Sequence, residues 1–324
     1  MLRIKNNMIF YELWKDEMGE RIVPVAGDLS KVNFGLSEGE FLDLARKVSV
    51  IYHNGALVNF FYPYTVNKGA NVFGTKEIIR LATLYRVKPI HFISTAAVFA
   101  SEHNDSTIAL EEEMPGYNTN IGIGYVQSKW VAEHILQIAR DRGVPVSIYR
   151  CGRVFSHSKS GVCQPNDFIW NLFLGSIEAG VFPDSSPEIE IIPVDYVSKS
   201  VVYLSQQNEH IGQNFHLIQT ETISFQTFYH AALELNYSLK LVPYEEWMDS
   251  LQSKHVLDKS KDSAKAIGSH LLTNGVFNDN QIILSNRKTR RLLSKAGIEI
   301  LNIDITVIKA NLSFFERKGI VRKH

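Results

Sequence analysis

Cysteine is nearly absent: Cys151 and Cys163 are the only two in 324 residues, which excludes a disulfide framework, and neither lies in a metal-ligand spacing with histidine. His53, His91, His157 and His216 have no ligand spacing either, so no metal is expected. Neither sign of charge is in excess. The 34 Lys and Arg offset 34 Asp and Glu, so no global field favours nucleic acid or an anionic membrane. Long apolar runs are missing too. Residues 48–67 avoid charge, but His53, Asn54, Gly55, Asn59 and Pro63 interrupt them, and a membrane span is not expected. The charged start Met1-Leu2-Arg3-Ile4-Lys5 lacks the apolar stretch of a secretory signal, and a reducing cytoplasm is the expected location. There is no internal repeat or low-complexity tract, and no G-x-x-G-x-x-G run precedes Asp28.

What is present is enough to build a sizeable core, since 45% of the residues are hydrophobic and 21% charged. From residue 21 to about 220, short β-branched runs alternate with longer amphipathic stretches, the pattern of parallel strands joined by helical crossovers. Strands are predicted at 22–26, 48–52, 89–94, 145–150, 189–192 and 214–218, each apolar enough to be buried on both faces. One helix starts at Ser37 with Glu40 three residues on, a capping box. A second runs over 63–86, and a third carries Tyr125 and ends before Gly143 and Pro145. Beyond 220 the rhythm turns helical, at 224–235, 244–250, 287–295 and 304–318, with little convincing strand. The reading is a domain over 1–220 and a smaller, mostly helical substrate region over 221–324, with 253–263 as an exposed loop.

The chemistry-bearing feature is Gly124-Tyr125-Val126-Gln127-Ser128-Lys129-Trp130, about thirty positions after Ser94-Thr95 closes an apolar run. A phenol with a pKa of roughly 10 needs a lowered value to act as an acid near neutrality. An ammonium one helical turn away favours the phenolate, and Lys129 sits at i+4 from Tyr125. A hydroxyl such as Thr95 can share a substrate oxygen with that phenol, so developing negative charge meets two donors. Hydride chemistry is the leading hypothesis. The pair alone carries little weight, because Tyr11/Lys15 and Tyr64/Lys68 repeat the pattern and read as ordinary helix-surface pairs. Only Tyr125/Lys129 lies between a strand ending in Ser-Thr and a following strand.

In an open α/β sheet, ligands sit beyond the carboxyl ends of the strands. Asp28 follows the first predicted strand and either accepts from an adenine amino group or caps a turn. Asn54-Gly55-Ala56 follows the second, where small residues let a ribose and phosphates approach, though a plain turn also uses Asn-Gly. Cys151-Gly152-Arg153-Val154 follows the fourth, where backbone groups can hold a nicotinamide amide. Cys151 itself reads as a core thiol. Asn71 points either at the site or outward as a capping residue. The stretch Phe60-Phe61-Tyr62-Pro63-Tyr64 reads as packing, or as the wall of a substrate channel.

Together these segments resemble the extended short-chain dehydrogenase/reductases. Within them they are similar to the thioester reductase domains of nonribosomal peptide and polyketide synthetases and carboxylic acid reductases. The resemblance rests on Val23-Pro24-Val25-Ala26-Gly27-Asp28-Leu29-Ser30, Ile51 through Asn59, Ala70-Asn71-Val72-Phe73-Gly74-Thr75, Gly124 through Glu133, Tyr149-Arg150-Cys151-Gly152-Arg153 and Ile192-Pro193-Val194-Asp195-Tyr196-Val197. It implies a doubly wound parallel, Rossmann-like sheet. It implies Thr95, Tyr125 and Lys129 as the catalytic trio, and Asp28, Leu29, Asn54, Gly55, Ala56, Asn71, Lys129, Cys151 and Val154 as cofactor-binding positions. The implied cofactor is NADPH, with NADH not excluded. The implied reaction takes an acyl thioester on the phosphopantetheine of an acyl or peptidyl carrier protein to an aldehyde, and in some relatives on to an alcohol. In it Lys129 lowers the Tyr125 pKa and holds the nicotinamide ribose.

Two departures qualify the resemblance. Cys151 and Ser156 stand where the family usually has Pro and Gly. More seriously, the opening strand, glycine loop and second strand of the family have no counterpart, so the chain is expected to be an N-terminally truncated form lacking the first βαβ unit. In a sheet of order 3-2-1-4-5 that leaves three strand spacings, roughly 14 Å, between the 22–26 and 48–52 strands. Either an upstream polypeptide supplies the missing half, or the two strands dock directly and the cofactor site is crippled. Other readings are a sugar-nucleotide epimerase or dehydratase of the same superfamily, and a non-catalytic remnant or carrier-protein-binding module.

Overall fold

The structure, a computed structural model, describes residues 1–99, 108–116, 122–185, 187–253 and 283–322. The expected loop at 253–263 therefore lies, from residue 254 on, outside the described residues. The chain opens with α1 (Leu2–Phe10) and a 3-10 segment, Asp16–Arg21. Lys15 stands between the two outside any helix, so Tyr11/Lys15 is not the helix-surface pair expected.

The first predicted strand is not there. Residues 22–28 form no strand, and Val23 and Val25 are 85% and 55% exposed. A parallel strand is held by neighbours and by cover on both faces, and no described strand lies beside this segment. The chain instead turns back at Asp28, whose N–H donates to the Phe34 carbonyl at 2.8 Å.

The next elements follow the sequence closely. Helix α2 (Glu38–Lys47) carries the expected capping box, with Ser37 and Glu40 each accepting from the other's backbone N–H, and it buries Phe41 and Ala45. Strand β1 (Ile51–His53) leads to α3 (Tyr64–Lys68), a π-helical turn over Gly69–Phe73 and α4 (Gly74–Thr83). The single helix expected over 63–86 is present from Tyr64 to Thr83 and carries a widened turn within it, a device frequent beside functional sites. Strands β2 (Ile90–Thr95) and β3 (Ile108–Ala109) precede α5 (Gly124–Asp141) and β4 (Val146–Cys151). Then come α6 (Phe168–Ala179), β5 (Val181–Pro183), β6 (Glu188–Glu190), α7 (Val194–Ser205) and β7 (Asn214–Leu217).

The main sheet has the order β1-β2-β4-β7, all parallel. Alternation along each strand divides its side chains between two layers. Ile90, Phe92, Val146 and Ile148 face Ala82, Ala132 and Leu136 of α4 and α5, while Tyr149, Phe215 and Leu217 face Val197, Val201 and Leu204 of α7. The strand expected at 189–192 exists as β6 but does not join this sheet. It pairs antiparallel with β8 (Thr222–Ser224).

Beyond residue 220 the expected helices are present as α8 (Gln226–Glu234), α9 (Tyr244–Ser253), Arg287–Lys295 and Ile305–Arg317. Two more short strands accompany β8: β9 (Lys240–Val242) beside β5, and β10 (Ile283–Leu284) beside β3. An aromatic core joins this region to residues from before 220. Trp170 stacks on Phe155 at 4.8 Å and meets Phe315 edge-on at 5.0 Å. Gly161, at φ +69, lets the last helix lie against the loop, since a Cβ there would stand 2.3 Å from the Ala310 carbonyl carbon. Among the described residues no helix is long and apolar enough to cross a membrane, and no group of three or more His, Cys, Asp or Glu could hold a metal.

Candidate active site

Helix α5 starts at Gly124 because nothing larger fits. A Cβ there would lie 2.4 Å from the Tyr64 backbone nitrogen and 2.5 Å from the Tyr62 carbonyl oxygen. The first turn of α5 is therefore seated directly on the 62–64 backbone, and the Phe60 ring meets Tyr125 edge-on at 5.7 Å. The aromatic stretch walls the phenol. Burial raises the Tyr125 pKa above its ordinary 10.0, and the Cys151 thiol adds to the rise.

That direction is opposite to the one expected from Lys129 alone, and the geometry gives the reason. The Lys129 ammonium is turned into the sheet, where Nζ donates to the Ile93 carbonyl at 2.7 Å and lies 3.7 Å from the centre of the Phe92 ring. Lys129 is only 3% exposed. Burial lowers its pKa from 10.5 to about 7, against the opposing pull of Glu133 and Cys151. It is an ammonium below that pH and an amine above it.

Thr95 ends β2 and pairs in register with Cys151, and its Oγ1 accepts from the Ala97 N–H at 3.2 Å. Lys129 bonds to Ile93 and Tyr125 lies in one cluster with Ala97, so the first turns of α5 meet the carboxyl end of β2. The Cys151 thiol is itself buried and pushed up to about 12, a core cysteine with no nucleophile's environment. Val154, three residues on, is 37% exposed and forms an isolated parallel bridge with Ile192. His53, at the end of β1, is held neutral, its pKa lowered to about 3 by burial and then by Lys129.

Asn71 belongs to the frame of the site. It is 2% exposed, its Oδ1 accepts from Leu57 N–H at 2.7 Å, and its Nδ2 donates to the Leu57 carbonyl at 3.0 Å and to Ser128 Oγ at 2.8 Å. Ser128 in turn donates to the Tyr125 carbonyl at 2.6 Å. The side chain thus ties the loop after β1 to the turn of α5 that carries Tyr125, and it does so from within the π-helical turn. Asn71→Ala should lower stability by about 1–3 kcal/mol in denaturant unfolding, because both Leu57 backbone groups lose their partner.

The remaining sequence-predicted positions lie on the side of β1. Asn54 and Gly55 are exposed, and a Cβ at Gly55 would come within 2.8 Å of Leu29 Cδ1. Ala56 is half-buried in the same turn. Leu29 packs as a partly buried side chain against the layer of α2, α4 and α5. Asp28 is exposed and closed on its own turn, accepting from Ser30 N–H at 2.9 Å and Ser30 Oγ at 2.6 Å, and those bonds hold its pKa below the usual value.

Sequence reading missed the polar group beneath the lysine. Glu133 and Arg150 form an ion pair at 2.9 Å with both side chains 0% exposed, and Ser94 Oγ donates to the same carboxylate. The signal was available: Tyr125, Lys129 and Glu133 recur every four residues on one stripe of α5, and Arg150 interrupts an otherwise apolar strand.

Comparison with known proteins agrees with this architecture. Residues 1–201 match the NAD-binding family described as male sterility protein. A linear gramicidin synthase polypeptide of Brevibacillus parabrevis is 42% identical over 99% of this chain, which spans 6% of that protein. A nonribosomal peptide synthetase, FrzA of a Cladobotryum species, is 29% identical over 98% of this chain and 32% of its own length. The terminal R domain from the myxalamid PKS-NRPS biosynthetic pathway superposes with a TM-score of 0.86 at 35% identity, covering 100% of this chain and 82% of that one. The chain belongs to the male sterility protein family of NAD-binding domains and, within it, to the terminal reductase (R) domains of peptide and polyketide synthetases.

Proposed function

We propose that this chain carries the substrate side of an NADPH-dependent reductase that converts a carrier-protein-bound acyl thioester to an aldehyde. What supports the reading is that α5 meets the carboxyl end of β2, with Lys129 bonded to Ile93, Tyr125 in one cluster with Ala97 two residues after Thr95, and Phe60 against the phenol ring. Tyr125 and Thr95 donate to the thioester oxygen as negative charge develops on it, and Tyr125 then gives up its proton. Lys129, once released from the Ile93 carbonyl, supplies the positive charge that makes this transfer easier. With hydride added to the carbonyl carbon and the Tyr125 proton on its oxygen, the resulting thiohemiacetal loses that hydroxyl proton and breaks its C–S bond, releasing the aldehyde and returning the phosphopantetheine sulfur as a free thiol. We further propose 221–324 as the substrate-binding region, although its aromatic core also draws on residues 155–191.

The hydride in such a reaction comes from a reduced nicotinamide, and the residues present fit only half of that cofactor. Its nicotinamide end has the buried lysine and the backbone around Val154. Its pyrophosphate end has no comparable support among the described residues. The helix after β1 has its start, at α3, sealed by the close approach of Gly124. Asp28 is closed on Ser30, and the amide of Asn71 is bound to Leu57 and Ser128. β1 ends the main sheet, and the face carrying Val50 and Tyr52, 40% and 47% exposed, lacks the cover usual for a parallel sheet, which leaves room there for a further element from a segment supplying the phosphate loop.

The incomplete phosphate side favours one other reading, a carrier-binding module that catalyses nothing. Incubation with NADPH and an acyl-loaded carrier protein separates the two, with the aldehyde trapped as an oxime. Aldehyde formation that depends on Tyr125, in a form whose sheet carries the phosphate loop, supports the reductase. Carrier binding with no aldehyde in that completed form overturns it.

A further inference from the structure

The buried Glu133–Arg150 pair lies immediately behind the reactive residues, and its contacts are unusually complete. Arg150 Nε donates to Glu133 Oε2 at 3.0 Å and Nη2 pairs with the same oxygen at 2.9 Å, while Oε1 receives Ser94 Oγ. Ser94 and Arg150 are themselves partners in the β2–β4 register, one pair before Thr95 and Cys151. The guanidinium is held from its far side by His216 Nε2 at 3.1 Å, and His216 Nδ1 meets the Ser285 carbonyl at 2.8 Å. A buried ion pair of this kind rarely gains stability over apolar packing, so its position asks for another explanation.

We propose that Glu133, held by Arg150, is a positioning residue of this site: it fixes α5 in register with the end of β2 and supplies the carboxylate charge that balances the Lys129 ammonium. Glu133 follows Lys129 by one helical turn on the face that meets the sheet. The lysine reaches the Ile93 carbonyl and the glutamate reaches Ser94, so two successive turns of α5 are pinned to two successive residues of β2. The charged and titratable groups acting on Lys129 among the described residues are His53 from β1, Cys151 from β4 and Glu133 from α5 itself. With His53 and Cys151 both neutral, Glu133 is the carboxylate among them. Facing Glu133 in turn are Arg150, Arg140 and, through Arg150, His216. Because Arg150 takes most of the Glu133 charge, Lys129 is left only partly compensated, in keeping with its depressed titration near 7.

The two halves of the pair therefore act on Lys129 with opposite sign. Glu133→Gln removes the balancing charge and lowers the Lys129 titration; Arg150→Met frees that charge and raises it. Loosened packing would instead move both variants upward, toward the ordinary lysine value. The probe is NMR titration of the full chain labelled with 13C at lysine Cε, with Lys129 identified from the Lys129→Arg spectrum. A shift of about one unit downward in Glu133→Gln and upward in Arg150→Met is expected, with Arg150→Lys close to the native value. Movement of both variants in one direction, or no movement in Glu133→Gln, overturns the inference. Should either variant fail to fold, Glu133→Asp withdraws the carboxylate by one methylene, and a Lys129 titration unchanged from native would overturn it equally. The inference rests on the reductase reading for its purpose, yet the titration needs no cofactor. Failure here leaves the thioester assay untouched, and failure of that assay leaves this titration standing.

Discussion

Tyr125→Phe is expected to reduce aldehyde formation by roughly 10²–10⁴-fold, the usual worth of a positioned proton donor. The substitution is a clean one. It removes a hydroxyl that forms no hydrogen bond with the described residues and keeps the ring that packs edge-on against Phe60. Folding stability should hardly move, so the loss can be read as chemistry. The effect on KM should be small beside the effect on kcat, because the hydroxyl acts on charge that exists only as the thioester oxygen becomes an oxyanion. Thr95→Val, which removes the second donor, should cost less, since Tyr125 remains to take the oxygen. The measurement belongs in a form of the protein whose sheet carries a phosphate-binding loop, with an acyl-carrier substrate and trapped aldehyde as the readout. Near-normal turnover of Tyr125→Phe would remove Tyr125 from the role of acid.

The burial of Tyr125 and Lys129 bears on the pH dependence of that reaction. An isolated pair at i and i+4 would lower the phenol pKa, but burial here dominates and raises it. With the lysine titrating at about 7, its positive charge is present below that pH and lost above it. Reduction should therefore fall as pH rises through the Lys129 titration, and Glu133→Gln should bring that fall to lower pH.

Much of this was legible before any coordinates. The alternation of β-branched runs and amphipathic stretches located four strands of the parallel sheet, and the Ser37/Glu40 capping box located the start of α2. The helices beyond residue 220 followed from their spacing alone. The 22–26 segment misled because Ile22, Val23 and Val25 are β-branched, although Pro24 disfavours a central strand and a strand is held by neighbours that propensity cannot see. Asn71 was ambiguous because its hydrogen bonds go to Leu57 and Ser128, 14 and 57 residues away in sequence. The downward shift expected for Tyr125 failed for a similar reason. Spacing on a helix reports that two side chains are neighbours, but only the fold reports that the Lys129 ammonium prefers the Ile93 carbonyl. Glu133 and Arg150 were readable as a stripe and an interruption, yet their pairing depends on the β2–β4 register.

Weak binding of NADPH to this chain is the second large effect expected. In a dinucleotide site the pyrophosphate is held by backbone N–H groups at a helix N-terminus, supported by glycines that let it approach. Here no G-x-x-G-x-x-G run precedes Asp28, the start of α3 is sealed by Gly124, and Asp28 and Asn71 are engaged within the protein. The nicotinamide end alone, with Lys129 turned away into the Ile93 carbonyl, offers little to replace those contacts. Under the proposed function, Tyr125 and its apolar wall are in place, while the described residues offer the hydride donor's phosphates no cradle. Fluorescence titration of the purified chain with NADPH tests this directly. Binding too weak to saturate at millimolar cofactor is the predicted result, and micromolar affinity would contradict it.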